Sequence, residues 1–265
     1  MSPKSLKSPG GGRSDHTREL QLANDALEKM NRELASFAYA SSHDLQEPLR
    51  KIQIFASFLQ QSENERLSDK GKDYLRRMKI AAAHMQQLIQ DILAYSLNSN
   101  KTAPFESTDL NKVLERVLEE LKETITTQKA IIDTTSLPQL NGIPFQLQQL
   151  FTNLLSNSLK FSKPGLAPHI VLRAGIAPGE TIGDKAAVAG KPYHHISISD
   201  NGIGFLPEYS TCIFDAFQRL HGHTEYEGTG IGLAICKRIV ENHGGFLLAS
   251  GEPENGAVFR IYLPA

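Results

Sequence analysis

The sequence predicts a multidomain chain with an α part followed by an α+β part: an antiparallel helical hairpin, then an α/β sandwich. Two observations carry this prediction. Up to about residue 98, apolar residues recur at spacings of three and four, the period of one helix face. Beyond a polar linker at residues 99–104, short β-branched runs alternate with helical segments. A mixed sheet with helices on one side is the simplest arrangement of those segments.

The bulk composition excludes several classes of protein. The chain has 265 residues, enough for one large domain or two small ones, and a formal net charge of −1. That balance gives no electrostatic case for binding nucleic acid. No apolar run approaches the roughly 20 residues that span a bilayer, so no membrane span is expected. Cys212 and Cys236 are too few and too far apart for a disulfide framework, which favours reduced thiols and a cytoplasmic location.

The N-terminal segments have distinct compositions. Residues 1–15 are rich in Ser, Gly, Pro and Lys, and are predicted to be a disordered leader. Residues 16–40 carry a heptad-like seam that predicts a coiled-coil signalling helix, the alternative being a single amphipathic helix packed on its own domain. The seam consists of Leu20, Ala23, Leu27, Met30, Leu34, Phe37 and Ser41.

The helical hairpin is predicted within residues 34–98. Its first helix continues to about Gln60, the polar stretch 61–70 forms a turn, and a second apolar stripe begins near Tyr74. One hairpin alone cannot bury both stripes. Two copies would form a four-helix bundle, so a homodimer is the favoured inference.

His43 is the residue of this hairpin with the clearest chemical potential. It falls off the apolar face and should therefore point to water. Pro48 lacks a backbone donor and its ring crowds the carbonyl of Asp44, so the helix should bend beside the histidine. The simpler interpretation of these residues alone is a surface histidine on a kinked helix.

The second part, residues 105–265, contains the elements of the sandwich. Asp109 is a predicted N-cap. Gly175 to Pro192 is predicted to be a long hairpin loop, and Gly244-Gly245 to end the last helix. The predicted helices cover 109–127, 144–161 and 231–243, and the predicted strands cover 131–133, 170–173, 196–199, 246–248 and 258–262.

The central helix of this part has an unusual polar face. At 100° per residue, Gln149, Asn153, Asn157 and Lys160 fall within one narrow arc, opposite a face of leucines. Amide oxygens are hard ligands that suit Mg²⁺, and a lysine suits the phosphates that share the ion. An uncharged solvent-facing surface is the alternative interpretation.

Two glycine-rich segments follow. Asp200-Asn-Gly202-Ile-Gly204 comes directly after a strand, where an acid can accept a hydrogen bond from an exocyclic amine and the glycines let a flat ring approach. An Asn-Gly turn is the simpler interpretation. The segment 228–232 opens a helix, whose first N–H groups and dipole suit phosphate. The order of the three segments is more specific than any one of them.

Together these motifs identify a resemblance to the sensor histidine kinases of two-component systems. Residues 41–50 resemble the H box, especially that of phytochrome-like and PAS-linked kinases, and residues 149–162 resemble the N box. Residues 198–205 and 228–235 resemble the G1 and G2 boxes, and Ile213 to Arg219 resembles the F box of the lid. The resemblance implies a dimeric phosphotransfer domain followed by a Bergerat-type ATP-binding domain, with ATP and Mg²⁺ as cofactors.

The resemblance also implies roles for individual residues. His43 would be the phosphoacceptor, and Asp44 would orient its ring or accept its proton. Asn157 would hold Mg²⁺ with support from Asn153, and Asp200 would read the adenine amine. The other implied ATP-binding residues are Lys160 at a phosphate, Phe161 near the adenine, Gly202, Gly204, Arg219 as a clamp, and Gly228, Thr229, Gly230, Ile231, Gly232 and Leu233 in the lid region.

The implied partners are an upstream sensor and the receiver domain of a response regulator. Glu47 stands where kinases that also dephosphorylate their regulator often carry Thr or Asn, which predicts weak or absent phosphatase activity. Two rival functions remain at this point: an ATPase of the same fold, and a scaffold that binds without transfer. The ATPases place a glutamate where Asn153 stands, which disfavours hydrolysis.

Overall fold

The computed structural model describes residues 45–97, 104–183, 187–220 and 228–265, without the side chains of residues 94–97. The predicted leader at 1–15 and the predicted coiled coil at 16–40 lie outside the described residues. So do His43, Asp44 and all of the predicted linker except Pro104.

The N-terminal part is an antiparallel helical hairpin, as predicted. Helix α1 spans residues 45–62 of the described chain and α2 spans Asp69–Leu97. Gln53 Nε2 donates to Gln86 Oε1 at 3.2 Å, and Lys79 Nζ donates to Gln60 Oε1 at 3.1 Å. The later residue of α1, Gln60, bonds the earlier residue of α2, Lys79. The two helices therefore run antiparallel.

The hairpin buries little of its apolar surface. Leu49, Ala82 and Ile89 form a small cluster, with Leu93 packed against it. Larger side chains on both helices stay exposed, among them Phe55, Phe58, Met78 and Met85. No helix among the described residues is long and apolar enough to cross a membrane.

The C-terminal part contains a mixed five-stranded sheet. Its strands are β2 (Ile131–Thr134), β4 (His169–Pro178), β5 (Pro192–Asp200), β6 (Phe246–Glu252) and β7 (Gly256–Pro264), in the order β2-β4-β5-β7-β6. Strands β2 and β4 pair in parallel, and the remaining neighbours are antiparallel. The mixed sheet confirms the predicted fold class.

One predicted loop is too long. Strands β4 and β5 stay paired out to Pro178 and Pro192, so the connection covers residues 179–191 rather than 175–192. Gly175 and the alanines beside it weaken the sequence signal for a strand. The backbone ladder continues through them because pairing uses N–H and C=O groups and not side chains.

Four helices pack with the sheet around one apolar core: α3 (Leu110–Glu120), α4 (Lys122–Gln128), α5 (Pro144–Lys160) and α6 (Gly232–Asn242). Asp109 caps α3 as predicted, with its carboxylate accepting from Asn111 N at 2.9 Å. The predicted single helix to residue 127 is broken at Leu121 into α3 and α4. A small sheet of β1 (Glu106–Asp109) with β3 (Gln139–Gly142) was not predicted.

His243 connects α6 to the start of α5. Its Nδ1 lies 2.7 Å from Ile239 O, and its Nε2 accepts a 3.0 Å bond from Ile143 N. The backbone donor at Nε2 requires an unprotonated nitrogen there, so the ring is neutral with its proton on Nδ1. Burial lowers the pKa of His243, which favours the same neutral form. The two helices that carry the polar motifs are therefore held together at their far ends.

Candidate nucleotide-binding site

A cavity of about 440 Å³ lies between α5, the end of β5 and the start of α6. Its volume is within the range of small-molecule and cofactor sites. The cavity brings together the three polar segments that the sequence separates by tens of residues. Its lining includes Asn153, Asn157, Lys160, Phe161, Asp200, Gly204, Arg219, Gly228, Thr229, Gly230, Gly232 and Leu233. Two other predicted residues are close in sequence to the lining: Gly202 stands between Asp200 and Gly204, and Ile231 stands between Gly230 and Gly232.

Asp200, the last residue of β5, lines the cavity. Its Oδ1 accepts bonds from Gly202 N at 3.0 Å and from Ala257 N at 3.2 Å. Its Oδ2 accepts from Ser158 Oγ at 3.1 Å. Burial raises the pKa of Asp200, and these three donors work against that rise. The result is an acceptor that is fixed in place at the cavity wall.

The glycines after Asp200 are required by close packing of backbone. A Cβ on Gly202 would lie 2.5 Å from Phe161 O, and one on Gly204 would lie 2.0 Å from Glu252 O. Gly204 also has a φ of +64°, in the left-handed region that favours glycine. The sequence predicts that these glycines let a flat ring approach the backbone. The structure adds a different reason, because each one packs against a neighbouring main chain.

The polar arc of α5 faces the cavity and reaches α6. Asn153 Nδ2 donates to Gly232 O at 3.3 Å, which joins the middle of α5 to the first residue of α6. Asn157 lies one turn further along the same face, half-buried. Lys160 Nζ lies 4.2 Å from the centroid of the Phe161 ring, and a Cβ on Gly228 would be 2.8 Å from that ammonium. The lysine therefore sits beside the glycine-rich loop.

The glycine-rich loop, residues 228–232, is held by the segment before it. Arg219 Nη1 donates to Gly228 O at 2.7 Å, and Phe217 N donates to Gly230 O at 2.9 Å. Gly230 has a φ of +76°, so the turn depends on glycine. The family resemblance implies that Arg219 clamps transferring charge. Its Nη1 contacts the loop carbonyl of Gly228, and the clamp role stays a prediction.

Several lining residues were not predicted from the sequence. Ser158 is buried and bonds Asp200, and the available signal was a hydroxyl on the apolar side of the α5 pattern. Gln87 and Asp91 come from α2 and also line the cavity. Nothing in the local pattern of α2 places them there, because the contact depends on how the hairpin packs against the sandwich.

The fold and the cavity define a nucleotide-binding sandwich preceded by a helical hairpin. The family model described as histidine kinase-, DNA gyrase B-, and HSP90-like ATPase matches residues 142–265. The model of the His Kinase A (phospho-acceptor) domain matches residues 33–101. The chain therefore belongs to the sensor histidine kinases, and its relatives place it with the phytochrome-like members.

The similar curated proteins are much longer than this chain. Cyanobacterial phytochrome A of Nostoc sp. (strain PCC 7120) is 37% identical over 244 residues, covering 92% of this chain and 30% of that protein. Phytochrome-like protein Cph1 of Synechocystis sp. is 36% identical over 244 residues, a match that covers 92% of this chain and 31% of that protein. The chain thus spans less than a third of the length of these relatives.

Solved structures share the fold. Full-length ShkA in complex with AMPPNP superposes with a TM-score of 0.63 at 22% identity, covering 86% of this chain and 45% of that one. Acinetobacter baumannii histidine kinase AdeS gives a TM-score of 0.53 at 19% identity, and the match covers 82% of this chain and 96% of that one. At these identities the likeness concerns architecture and not ligands.

Proposed function

We propose that this protein transfers the γ-phosphoryl group of ATP to His43, and then to an aspartate on the receiver domain of a response regulator. The observation that carries the proposal is the single cavity in which α5, Asp200 and the glycine-rich loop converge, with α2 of the hairpin at its wall. An enzyme that moves a phosphoryl group from a nucleotide to a helix needs the nucleotide site and that helical hairpin in one assembly, within reach of each other.

The polarity of the cavity orients the nucleotide. Asp200 suits the exocyclic amine of adenine, since its carboxylate accepts hydrogen bonds and its position is fixed by three donors. Phe161 also lines the cavity and would lie near the adenine. Lys160, beside the glycine-rich loop, and the start of α6 offer positive charge and a helix dipole to the phosphates.

The residues of α5 fit a magnesium ion that arrives with ATP. Mg²⁺ is usually bound through one or two protein oxygens, while waters and substrate phosphates supply the rest. The amide of Asn157 lines the cavity on the polar arc, and Asn153 beside it is braced against Gly232 O. The ion would neutralise phosphate charge during transfer.

His43 and Asp44 keep the roles that the resemblance implies. A ring nitrogen of His43 attacks the γ-phosphorus, and the bond from that phosphorus to the bridging oxygen breaks to release ADP. The nitrogen must carry a lone pair, which a neutral ring supplies above its ordinary pKa of about 6.5. Asp44 would orient the ring or accept the proton that the other nitrogen releases.

Homodimerisation belongs to the proposal because the hairpin leaves much apolar surface uncovered. Phe55 and Phe58 on α1 are 62% and 60% exposed, and Met78 and Met85 on α2 are 48% and 50% exposed. A second copy could cover these side chains in a four-helix bundle. We assign residues 34–98 to this dimerisation and phosphotransfer domain, and 105–265 to the catalytic domain.

The proposed setting is cytoplasmic, downstream of a sensor domain or sensor protein. Hydrolysis without transfer is disfavoured, because the amide of Asn153 cannot act as the general base for water. The proposal includes no role for nucleic acid.

Labelling with γ-³²P-ATP and Mg²⁺ tests the proposed function. We expect protein-bound label that is stable in base and labile in acid, and that is absent from His43→Ala. His84→Ala, which removes a histidine from α2, is the matched control and should retain the label. Release of free phosphate without protein labelling would favour the ATPase, and neither product would favour the scaffold.

A further inference from the structure

The side chain of Asp91 joins the helical hairpin to the glycine-rich loop. Its Oδ2 accepts a hydrogen bond from Thr229 Oγ1, and its Oδ1 accepts one from Gln87 Nε2 at 2.8 Å. Both Asp91 and Gln87 line the nucleotide cavity. An acidic side chain from the phospho-acceptor part is thus placed at the wall of the candidate ATP site.

The same hydroxyl of Thr229 also shapes the loop. Thr229 Oγ1 accepts a 3.4 Å hydrogen bond from Ile231 N while it donates to Asp91. Two further bonds, from Arg219 Nη1 to Gly228 O and from Phe217 N to Gly230 O, hold the loop carbonyls. The conformation of residues 228–231 is therefore linked to the position of α2.

Apolar packing supports the contact. Leu88, between Gln87 and Asp91 on α2, packs against the main core of the C-terminal sandwich. The association of α2 with the start of α6 is consequently more than a single polar contact. Asp91 supplies the polar part of the contact between α2 and the sandwich, and Leu88 supplies the apolar part.

We infer that Asp91 is an autoinhibitory latch, which holds the glycine-rich loop against α2 and opposes entry of the nucleotide phosphates. The inference rests on the proposed ATP site. The carboxylate lies against the loop whose chemistry suits phosphate, so it repels the charges that this loop would accept. It also occupies the hydroxyl of Thr229, which the loop would otherwise be able to turn toward a phosphate oxygen.

Linkage makes the latch reciprocal. If closure weakens ATP binding by a given factor, bound ATP weakens the Asp91–Thr229 contact by the same factor. Nucleotide binding would then release α2 from α6, and freeing the two parts permits the movement that phosphotransfer needs. AMP, which lacks the β- and γ-phosphates, should leave the latch closed.

Nucleotide titration of the full chain tests the latch. Asp91→Asn removes the charge and keeps an acceptor for Thr229, whereas Asp91→Ala removes both. We expect both variants to bind ATP at least about fivefold more tightly than the wild type, at the lower end of typical coupling between sites. The alanine variant should show the larger gain, and the affinity for AMP should not change.

Asp73→Asn is the matched control. It removes a carboxylate from the same helix, at a residue paired with Arg76 and Arg77 at 2.6 Å, and should leave the affinity for ATP at the wild-type value. Equal or weaker ATP binding by Asp91→Asn and Asp91→Ala would overturn the latch, and weaker binding would indicate a supporting role for the carboxylate. An equal gain for AMP would overturn it as well.

The titration also separates the latch from the proposed function. If wild type and variants all fail to bind ATP, both the proposed function and the latch are wrong. If the wild type binds ATP and labels His43 while the Asp91 variants bind ATP no more tightly, the proposed function stands and the latch alone is wrong.

Discussion

Ser158 Oγ donates a 3.1 Å hydrogen bond to Oδ2 of Asp200, and so ties the buried side of α5 to the end of β5. Ser158 is 3% exposed. The other carboxylate oxygen is occupied by two backbone donors, Gly202 N and Ala257 N. Because each oxygen has its own partners, the orientation of this carboxylate is fixed before a ligand arrives.

Asp200→Asn should weaken ATP binding by at least about tenfold, which corresponds to ~1.4 kcal/mol. The two backbone donors require an oxygen at the Oδ1 position, so the new NH₂ group takes the Oδ2 position. There it would present a donor to the donor amine of adenine. Isothermal titration with ATP measures the loss.

Ser158→Ala is the companion variant for this prediction. It removes one bond to Asp200 and leaves both carboxylate oxygens, so its effect on ATP affinity should be smaller than that of Asp200→Asn. Circular dichroism should show both variants folded. Wild-type affinity in Asp200→Asn would mean that the amine does not bind here.

Gly204→Ala should destabilise the sandwich strongly. The added methyl would meet Glu252 O at 2.0 Å, and the residue would have to keep a φ of +64°. Overpacking alone typically costs about 1–3 kcal/mol, and the positive φ adds to it. Denaturant unfolding followed by circular dichroism should show a lower midpoint.

Gly175→Ala is the matched control for Gly204→Ala. Gly175 lies in β4, and an added Cβ there meets no atom within 4 Å. Its unfolding midpoint should stay close to the wild-type value. A Gly204→Ala protein as stable as Gly175→Ala would show that the turn can relax without cost.

The stability of the sandwich should fall as the pH drops below about 6.5, the ordinary pKa of histidine. Burial lowers the pKa of His243 in the folded state. Below the unfolded-state pKa, His243 is therefore protonated more fully in the unfolded chain than in the folded chain. This difference in bound protons favours unfolding. Burial lowers the pKa of His194 and His195 in the same direction.

His243→Gln isolates the contribution of one histidine. The variant removes the titrating group, so its free energy of unfolding should depend less steeply on pH between about 6.5 and 5 than that of the wild type, by up to ~1.4 kcal/mol per pH unit. Denaturant titrations at a series of pH values measure both slopes. Identical slopes would contradict the assignment.

Glu47 should limit dephosphorylation of the receiver domain by this protein. Its carboxylate forms an ion pair with Lys51 Nζ at 2.7 Å on α1, at a position where a Thr or Asn would offer a neutral polar group. We expect a receiver domain phosphorylated by this protein to lose its label slowly, and faster with Glu47→Thr. Gel-based decay of the label measures both rates.

Lys51→Gln is the control for the Glu47 prediction. It removes the paired cation and keeps Glu47, so the slow decay should persist. Rapid loss of label with the wild-type protein, dependent on His43, would refute the prediction.

The helix and strand patterns of this chain were largely predictable, because they are set by local periodicity. Local sequence alone predicts Asp109 as an N-cap and the polar arc of α5. The break at Leu121 and the pairing of β1 with β3 were missed. Both depend on contacts between segments, which no window of sequence contains.

The sequence by itself determined the family and the order of its motifs, because glycines, amides and acids at fixed spacings carry that information within each segment. Tertiary structure alone decided which groups hold Asp200 in place and why Gly202 and Gly204 have no room for a side chain. It alone brought Asp91 to Thr229, residues 138 positions apart in the chain. Packing of Leu88 against the sandwich core accompanies that contact, and packing between distant segments is not encoded in local periodicity.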